Sequence, residues 1–161
     1  LSLSRAAWKS DDSYLVRAAA FSALVTLDTA TRRALIVEGL RTPSYRDAIQ
    51  NAALGAAVRS GDSTLVRPVH DLVSEKDVPS SALAVMAGRG SRLALDLLIS
   101  DLNDPHRYVR EWTLTAIVRS LGRERGLPAL KTAQPTLTYA ETKSAVDRIV
   151  KQWEQQAPKR G

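Results

Sequence analysis

The chain has 161 residues, 44% of them apolar, 25% charged and only 5% aromatic, with a formal net charge of +6. Such a chain can bury one sizeable core, and this composition is that of an ordinary globular protein rather than a disordered one. It has no cysteine, which removes disulfides, thiolate metal sites and cysteine nucleophiles from consideration.

The longest apolar run, Ala18 to Leu27, is interrupted by Ser22 and Thr26 and is too short to cross a bilayer. No charged-then-apolar signal segment opens the chain. The expectation is a soluble protein with no membrane partner, in the cytoplasm or the periplasm, the two left open. A start at Leu1 without methionine points to a domain excised from something longer. The charge is uneven: residues 1–80 carry a net +1 and residues 81–161 a net +5.

Abundant alanine and leucine favour helices over sheets. A leading segment, Leu3 to Trp8, reads as an N-terminal cap. The first amphipathic helix begins at Tyr14 and carries Val16-Arg17, Ala18 to Ala20, Phe21 and Leu24, with Ala34 to Leu40 as its partner helix. The second opens with Ser44 as cap and Asp47 three residues on, a capping-box spacing. It runs through Ile49, Ala52, Ala53, Leu54 and Ala57 to a Gly61-Asp62 turn. Its partner spans Leu65 to Val73, where Pro68 must kink the helix or delay its start because it lacks an amide.

A third, shorter helix is predicted over Ser80 to Arg89, with Leu83 and Met86 inward and Gly88 and Gly90 at its end, followed by a partner from Leu93 to Leu102. The fourth is predicted from Pro105 to Leu121, with Asp104 as cap, Pro105 at the first helical position and Gly122 as stop. Its apolar set is Val109, Trp112, Ala116, Ile117 and Leu121, and Leu127 to Ala133 is its partner. The fifth begins with Thr138 and Glu141, again at capping-box spacing, and is expected to bury Ala145, Val146, Ile149, Val150 and Trp153.

Phe21, Leu54, Leu83, Leu114 and Val146 take matching places in these helices, 33, 29, 31 and 32 residues apart. A period of this length belongs to stacked helical hairpins, because a single hairpin exposes a second apolar face that only the next can bury. The expected fold is all-α, a right-handed α-α superhelix of about five hairpins, one domain over residues 1–157 with a frayed tail at 158–161. Leu114 is expected in the shared core stripe, where truncation to alanine costs about 2–5 kcal/mol.

The segment Asp101-Leu102-Asn103-Asp104-Pro105, followed by Val109-Arg110 and Leu121-Gly122, resembles the HEAT-like repeats, including those of the phycobilin-lyase type. The resemblance spans nearly the whole chain and weakens at the third and fifth units. Within that group, Asp12 to Ala20 with the downstream Gly61-Asp62 turn looks like the C-terminal helical domain of bacterial zinc aminopeptidases of the aminopeptidase N type. That family keeps its metal ligands and catalytic acid in an upstream domain, and its His-Glu-x-x-His motif is not in this sequence. The resemblance therefore implies a non-catalytic domain without cofactor, which shapes substrate access and contacts upstream domains. The alternatives are a free-standing scaffold for a protein partner and, disfavoured, a nucleic-acid binder using the basic C-terminal half.

No residue earns a catalytic, metal or cofactor role. His70 and His106 lie in different repeats without clustered carboxylates, and His106 is expected to make a local contact to its cap. No Gly-x-Ser-x-Gly elbow, phosphate loop or dinucleotide fingerprint occurs. Trp112 and Trp153 fall at core positions, so packing outweighs base stacking. The candidate interaction surface is basic: Arg17, Arg46, Arg107, Arg110 and Arg119. Arg17 and Arg110 occupy equivalent repeat positions, where a guanidinium can bond to a neighbouring acidic side chain or a helix-end carbonyl.

Overall fold

The computed structural model describes residues 1–76 and 80–156, with side chains described up to residue 72 in the first stretch. Among them every regular element is helical and none is a strand. The expected tail at 158–161 lies outside the described residues. The chain forms two compact units, residues 1–75 and 76–161.

The first unit holds α1 (Ser2–Ser10), α2 (Tyr14–Leu27), α3 (Arg32–Arg41), α4 (Ala48–Ser60) and α5 (Val66–Lys76). The leading segment packs as expected: the Trp8 ring is buried and meets Phe21 at 5.2 Å between centroids. Around Phe21 the core gathers Leu24, Ile36, Leu40, Ile49 and Ala53. Gly39 is required there, since a Cβ would stand 2.7 Å from the Phe21 ring and 3.0 Å from the Ala53 Cβ. Pro68 falls in the first turn of α5, which starts late after a short 3-10 turn, Ser63–Leu65, as a missing amide demands.

The capping box expected at Ser44 and Asp47 does not form. Arg46 and Asp47 take left-handed backbone angles, with φ of 51° and 54°. The chain thus turns tightly before α4, and the Ser44 hydroxyl caps further on, accepting from the Ile49 amide at 3.0 Å.

The second unit holds α6 (Ser81–Gly88), α7 (Arg92–Asp101), α8 (Arg107–Ala116), α9 (Gly122–Ala133) and α10 (Ala140–Gln155). A π-helical turn, Ile117–Leu121, prolongs α8 and buries Ile117 and Leu121, and Gly122 ends it at φ 61°. Gly126 on α9 leaves room for the Trp153 ring, which lies 3.0 Å from where a Cβ would stand. Inside the unit, the buried hydroxyls of Ser80 and Thr113 share a hydrogen bond of 3.0 Å.

Two of the five aligned apolar positions are displaced from the core. Phe21, Leu83 and Val146 are fully buried, whereas Leu54 and Leu114 are half-buried and their neighbours Ala53 and Thr113 take the inward place. Trp112, Ala145, Ile149 and Trp153 are likewise half-buried. The start of α8 also differs from expectation: it begins at Arg107, and the Asp104 carboxylate accepts from the His106 amide at 2.8 Å.

Candidate functional site

Val109 and Thr113 turn into the core of the second unit, which leaves Arg110 at the edge where α8 meets α10. Arg110 is only 4% exposed, and a buried guanidinium is tolerable only when its donors are satisfied. Here they are. Its Nε donates to Thr142 Oγ1 at 3.0 Å, its Nη1 to the Asp104 and Pro105 carbonyls at 2.7 and 3.1 Å, and its Nη2 to Glu141 Oε1 at 2.6 Å. The guanidinium also sits over the Tyr139 ring, 3.8 Å from its centroid.

These bonds explain why the capping box expected at α10 is not made. Glu141 turns to Arg110, while the Thr138 amide and hydroxyl both donate to Asn103 Oδ1, at 2.9 and 3.1 Å. Two loops and two helices are thereby tied together by side chains about one repeat period apart.

Beside Arg110 runs a groove of 260 Å³, walled by Arg107, Glu111 and Leu114 of α8 and by Glu141, Ala145 and Arg148 of α10, with buried Thr142 beneath. Arg107 pairs with Glu111 at 2.7 Å, and this bond raises the Arg107 pKa above its ordinary value. Glu141 is held below the usual carboxylate range, first by a hydrogen bond to its own backbone amide and then by Arg110 and Arg107. Arg148 has no carboxylate partner among the described residues. Three guanidinium groups against two carboxylates leave the groove with an excess positive charge, and Leu114 and Ala145 supply an apolar stretch between them.

Of the five arginines expected to form one surface, the structure brings Arg107 and Arg110 together. Arg17 lies in the first unit, where its Nε donates to the Trp8 carbonyl at 3.1 Å and its guanidinium lies 5.4 Å from the centre of the Trp8 ring. Arg46 is exposed in the turn before α4, over the Tyr45 ring at 5.3 Å. Arg119 is exposed on the π turn. Sequence reasoning missed Tyr139, Glu141, Thr142 and Arg148. The usable signal was the separation of Glu141 from Arg110, 31 residues, which is one repeat.

His106 makes the local contact expected of it, Nδ1 to Asp104 Oδ1 at 3.0 Å, and His70 is half-buried on α5. Trp112 stacks at a tilt on Tyr108, 5.0 Å between centroids, and Tyr108 in turn on His106 at 5.5 Å. Among the described residues no three histidines or carboxylates are grouped to hold a metal ion, and no helix is long and apolar enough to cross a membrane. The chain matches no protein-family model and no curated protein.

Proposed function

We propose that this chain is a non-catalytic helical-repeat domain that works by contact, and that the groove between α8 and α10 receives an acidic, partly apolar segment of a protein partner. The observation that carries the reading is the unequal pairing of the groove arginines. Arg110 is fixed by four acceptors and Arg107 is matched by Glu111, whereas Arg148 faces the same groove without a carboxylate. A partner carboxylate at Arg148, with an apolar side chain over Leu114 and Ala145, complements this surface.

Nucleic acid is not the proposed partner. Phosphate binding needs uncommitted cations in series, and two of the three groove arginines are already paired with protein carboxylates. The proposal assigns this chain no reaction and no cofactor.

The proposed arrangement of the whole chain is a right-handed HEAT-like superhelix of about five hairpins. The Val-Arg pairs support it, since Arg17 and Arg110 both bond to carbonyl oxygens that precede their own helix, Arg17 to that of Trp8 in α1 and Arg110 to those of Asp104 and Pro105 in the turn before α8. The narrower proposal, resting on Asp12 to Ala20 and the Gly61-Asp62 turn, is the C-terminal helical domain of a zinc aminopeptidase-like enzyme. The partner is then an upstream domain of the same polypeptide.

Both proposals have direct tests. A photo-crosslinking residue at position 145 should join one discrete partner peptide containing Asp or Glu, and Arg148→Glu should abolish the product; a crosslink indifferent to Arg148→Glu would refute the groove assignment. For the narrower proposal, the gene upstream of Leu1 should encode His-Glu-x-x-His with a second glutamate downstream. An upstream sequence without that motif removes it.

A further inference from the structure

The first turn of α3 places Arg32 and Arg33 side by side and contains no acidic residue. The positive end of a helix favours anions, so two cations there run against the local electrostatics unless a negative charge comes from elsewhere. Asp28, just upstream, is already engaged: its carboxylate accepts from the Thr31 amide and hydroxyl and pairs with Arg5. Neither Arg32 nor Arg33 forms an ion pair with a carboxylate among the described residues.

Both guanidinium groups are fixed through Nε. Arg32 Nε donates to the Val25 carbonyl at 2.7 Å and its Nη2 to the Thr26 carbonyl at 3.2 Å, at the C-terminal end of α2. Arg33 Nε donates to Thr64 Oγ1 at 2.7 Å, in the 3-10 turn before α5. These bonds leave Nη1 of Arg32 and both Nη groups of Arg33 without an acceptor among the described residues. The two arginines line a cavity of 190 Å³ within the first unit, together with Thr29 and Asp62 and the fully buried Ile36 and Leu65. The Thr29 hydroxyl also has no partner among the described residues. Asp62 is the one carboxylate among the lining residues, and its Oδ1 is occupied by the amide and hydroxyl of Thr64, at 2.8 and 2.7 Å. Two guanidinium groups against one carboxylate leave the cavity positive.

We propose that this cavity binds a phosphate group, free or as a small phosphomonoester, with Arg33 and Nη1 of Arg32 as charged donors and the Thr29 hydroxyl as a neutral one. Its volume lies below the roughly 300 Å³ at which pockets for drug-sized ligands begin, so it takes one charged group rather than an extended ligand. A phosphate group presents three strong acceptor oxygens, one for each of the three donor side chains, whereas a carboxylate presents two in a single plane. Guanidinium groups already held by their Nε bonds lose little freedom when their Nη edges engage an oxyanion. The site holds a single phosphate and not a nucleic-acid backbone, and it does not depend on the groove between α8 and α10.

Titration calorimetry and backbone amide NMR of the 161-residue chain test the proposal, with inorganic phosphate, phenyl phosphate and acetate each added at fixed ionic strength in a chloride background. Phosphate should bind saturably, with amide shifts centred on Thr29, Arg33 and Asp62. Equal affinity for the two phosphates supports free phosphate as the ligand, and tighter binding of phenyl phosphate supports a phosphomonoester. Arg33→Gln should raise the dissociation constant by more than about tenfold, and Thr29→Ala by about threefold, as the loss of one neutral hydrogen bond implies, with helical circular dichroism unchanged in both. Lys151→Gln, which removes an exposed cation from the second unit, should leave the constant unaltered. The absence of saturable phosphate binding overturns the proposal, as does acetate binding as tight as that of phosphate. A loss in Lys151→Gln equal to that in Arg33→Gln would reduce the effect to general charge and also overturns it.

Discussion

Arg110 and Thr142 are joined at 3.0 Å across α8 and α10, and both side chains are buried. The same guanidinium reaches back to the Asp104 and Pro105 carbonyls, so one side chain fixes the turn before α8 and the start of α10 together. Its pair with Glu141 contributes least, because Glu141 is 55% exposed and solvent screens it. The loss on truncation comes instead from the carbonyls and the Thr142 hydroxyl left without their donor. Arg110→Ala should cost about 2–3 kcal/mol, read from urea unfolding, and Glu141→Gln should cost under about 1 kcal/mol. Arg110→Lys should recover little, since one ammonium cannot replace a fork bonded on three sides. A Glu141→Gln loss as large as that of Arg110→Ala would show the ion pair, not the carbonyl bonds, to be the main term.

Two helical glycines should respond with opposite signs to alanine. At Gly39 the new methyl group meets the Phe21 ring at 2.7 and 2.9 Å and the Ala53 Cβ at 3.0 Å, with no flexible end to move aside. Gly39→Ala should therefore destabilise by about 1–3 kcal/mol through overpacking. At Gly55 the nearest atom is the Arg59 Nη1 at 3.1 Å, the far end of a flexible side chain. Gly55→Ala should stabilise by about 0.5–1 kcal/mol, the usual gain of alanine over glycine inside a helix. Thermal denaturation of both variants measures the two signs, and a neutral Gly39→Ala would contradict the packing around Phe21.

Leu114 and Thr113 show where the sequence could be read and where it could not. Periodicity identified the helices because apolar residues recur at three and four residues, and it placed Phe21, Leu83 and Val146 in the core. It aligned Leu54 and Leu114 with them by residue type, but a helix can rotate by one position when a neighbour makes the smaller residue fit better. At α8 the Ser80 hydroxyl bonds Thr113, which takes the buried place and turns Leu114 to the groove wall. The expected loss for Leu114→Ala accordingly falls to about 1 kcal/mol. Ile117→Ala, at a fully buried position, should cost about 2–5 kcal/mol. Chemical denaturation of the pair decides which register holds. The groove was legible only in part: a Val-Arg motif marks Arg110, whereas Thr138 and Glu141 imitate a local capping box and conceal bonds to Asn103 and Arg110 in the preceding repeat.

Acid should weaken the fold through named carboxylates. Asp28 is held below its ordinary value of 3.8, chiefly by the Thr31 hydroxyl, then by the Thr31 amide and by Arg5. Asp62 is lowered in the same sense by the hydroxyl and amide of Thr64, and Glu141 by its own amide and by Arg110. A carboxyl depressed in the folded state binds fewer protons there than in the unfolded chain. Its contribution is therefore complete above the unfolded pKa and is lost as the pH falls through the folded one. The urea midpoint should be level around neutrality and decline below the ordinary carboxylate range. Asp28→Asn keeps a side-chain acceptor for Thr31 but cannot be protonated, so it should lower the neutral plateau and make the acid decline shallower. An acid decline of unchanged steepness in Asp28→Asn would remove Asp28 from the set. If Asp62→Asn and Glu141→Gln were equally without effect, the acid limb would have to arise from other carboxylates.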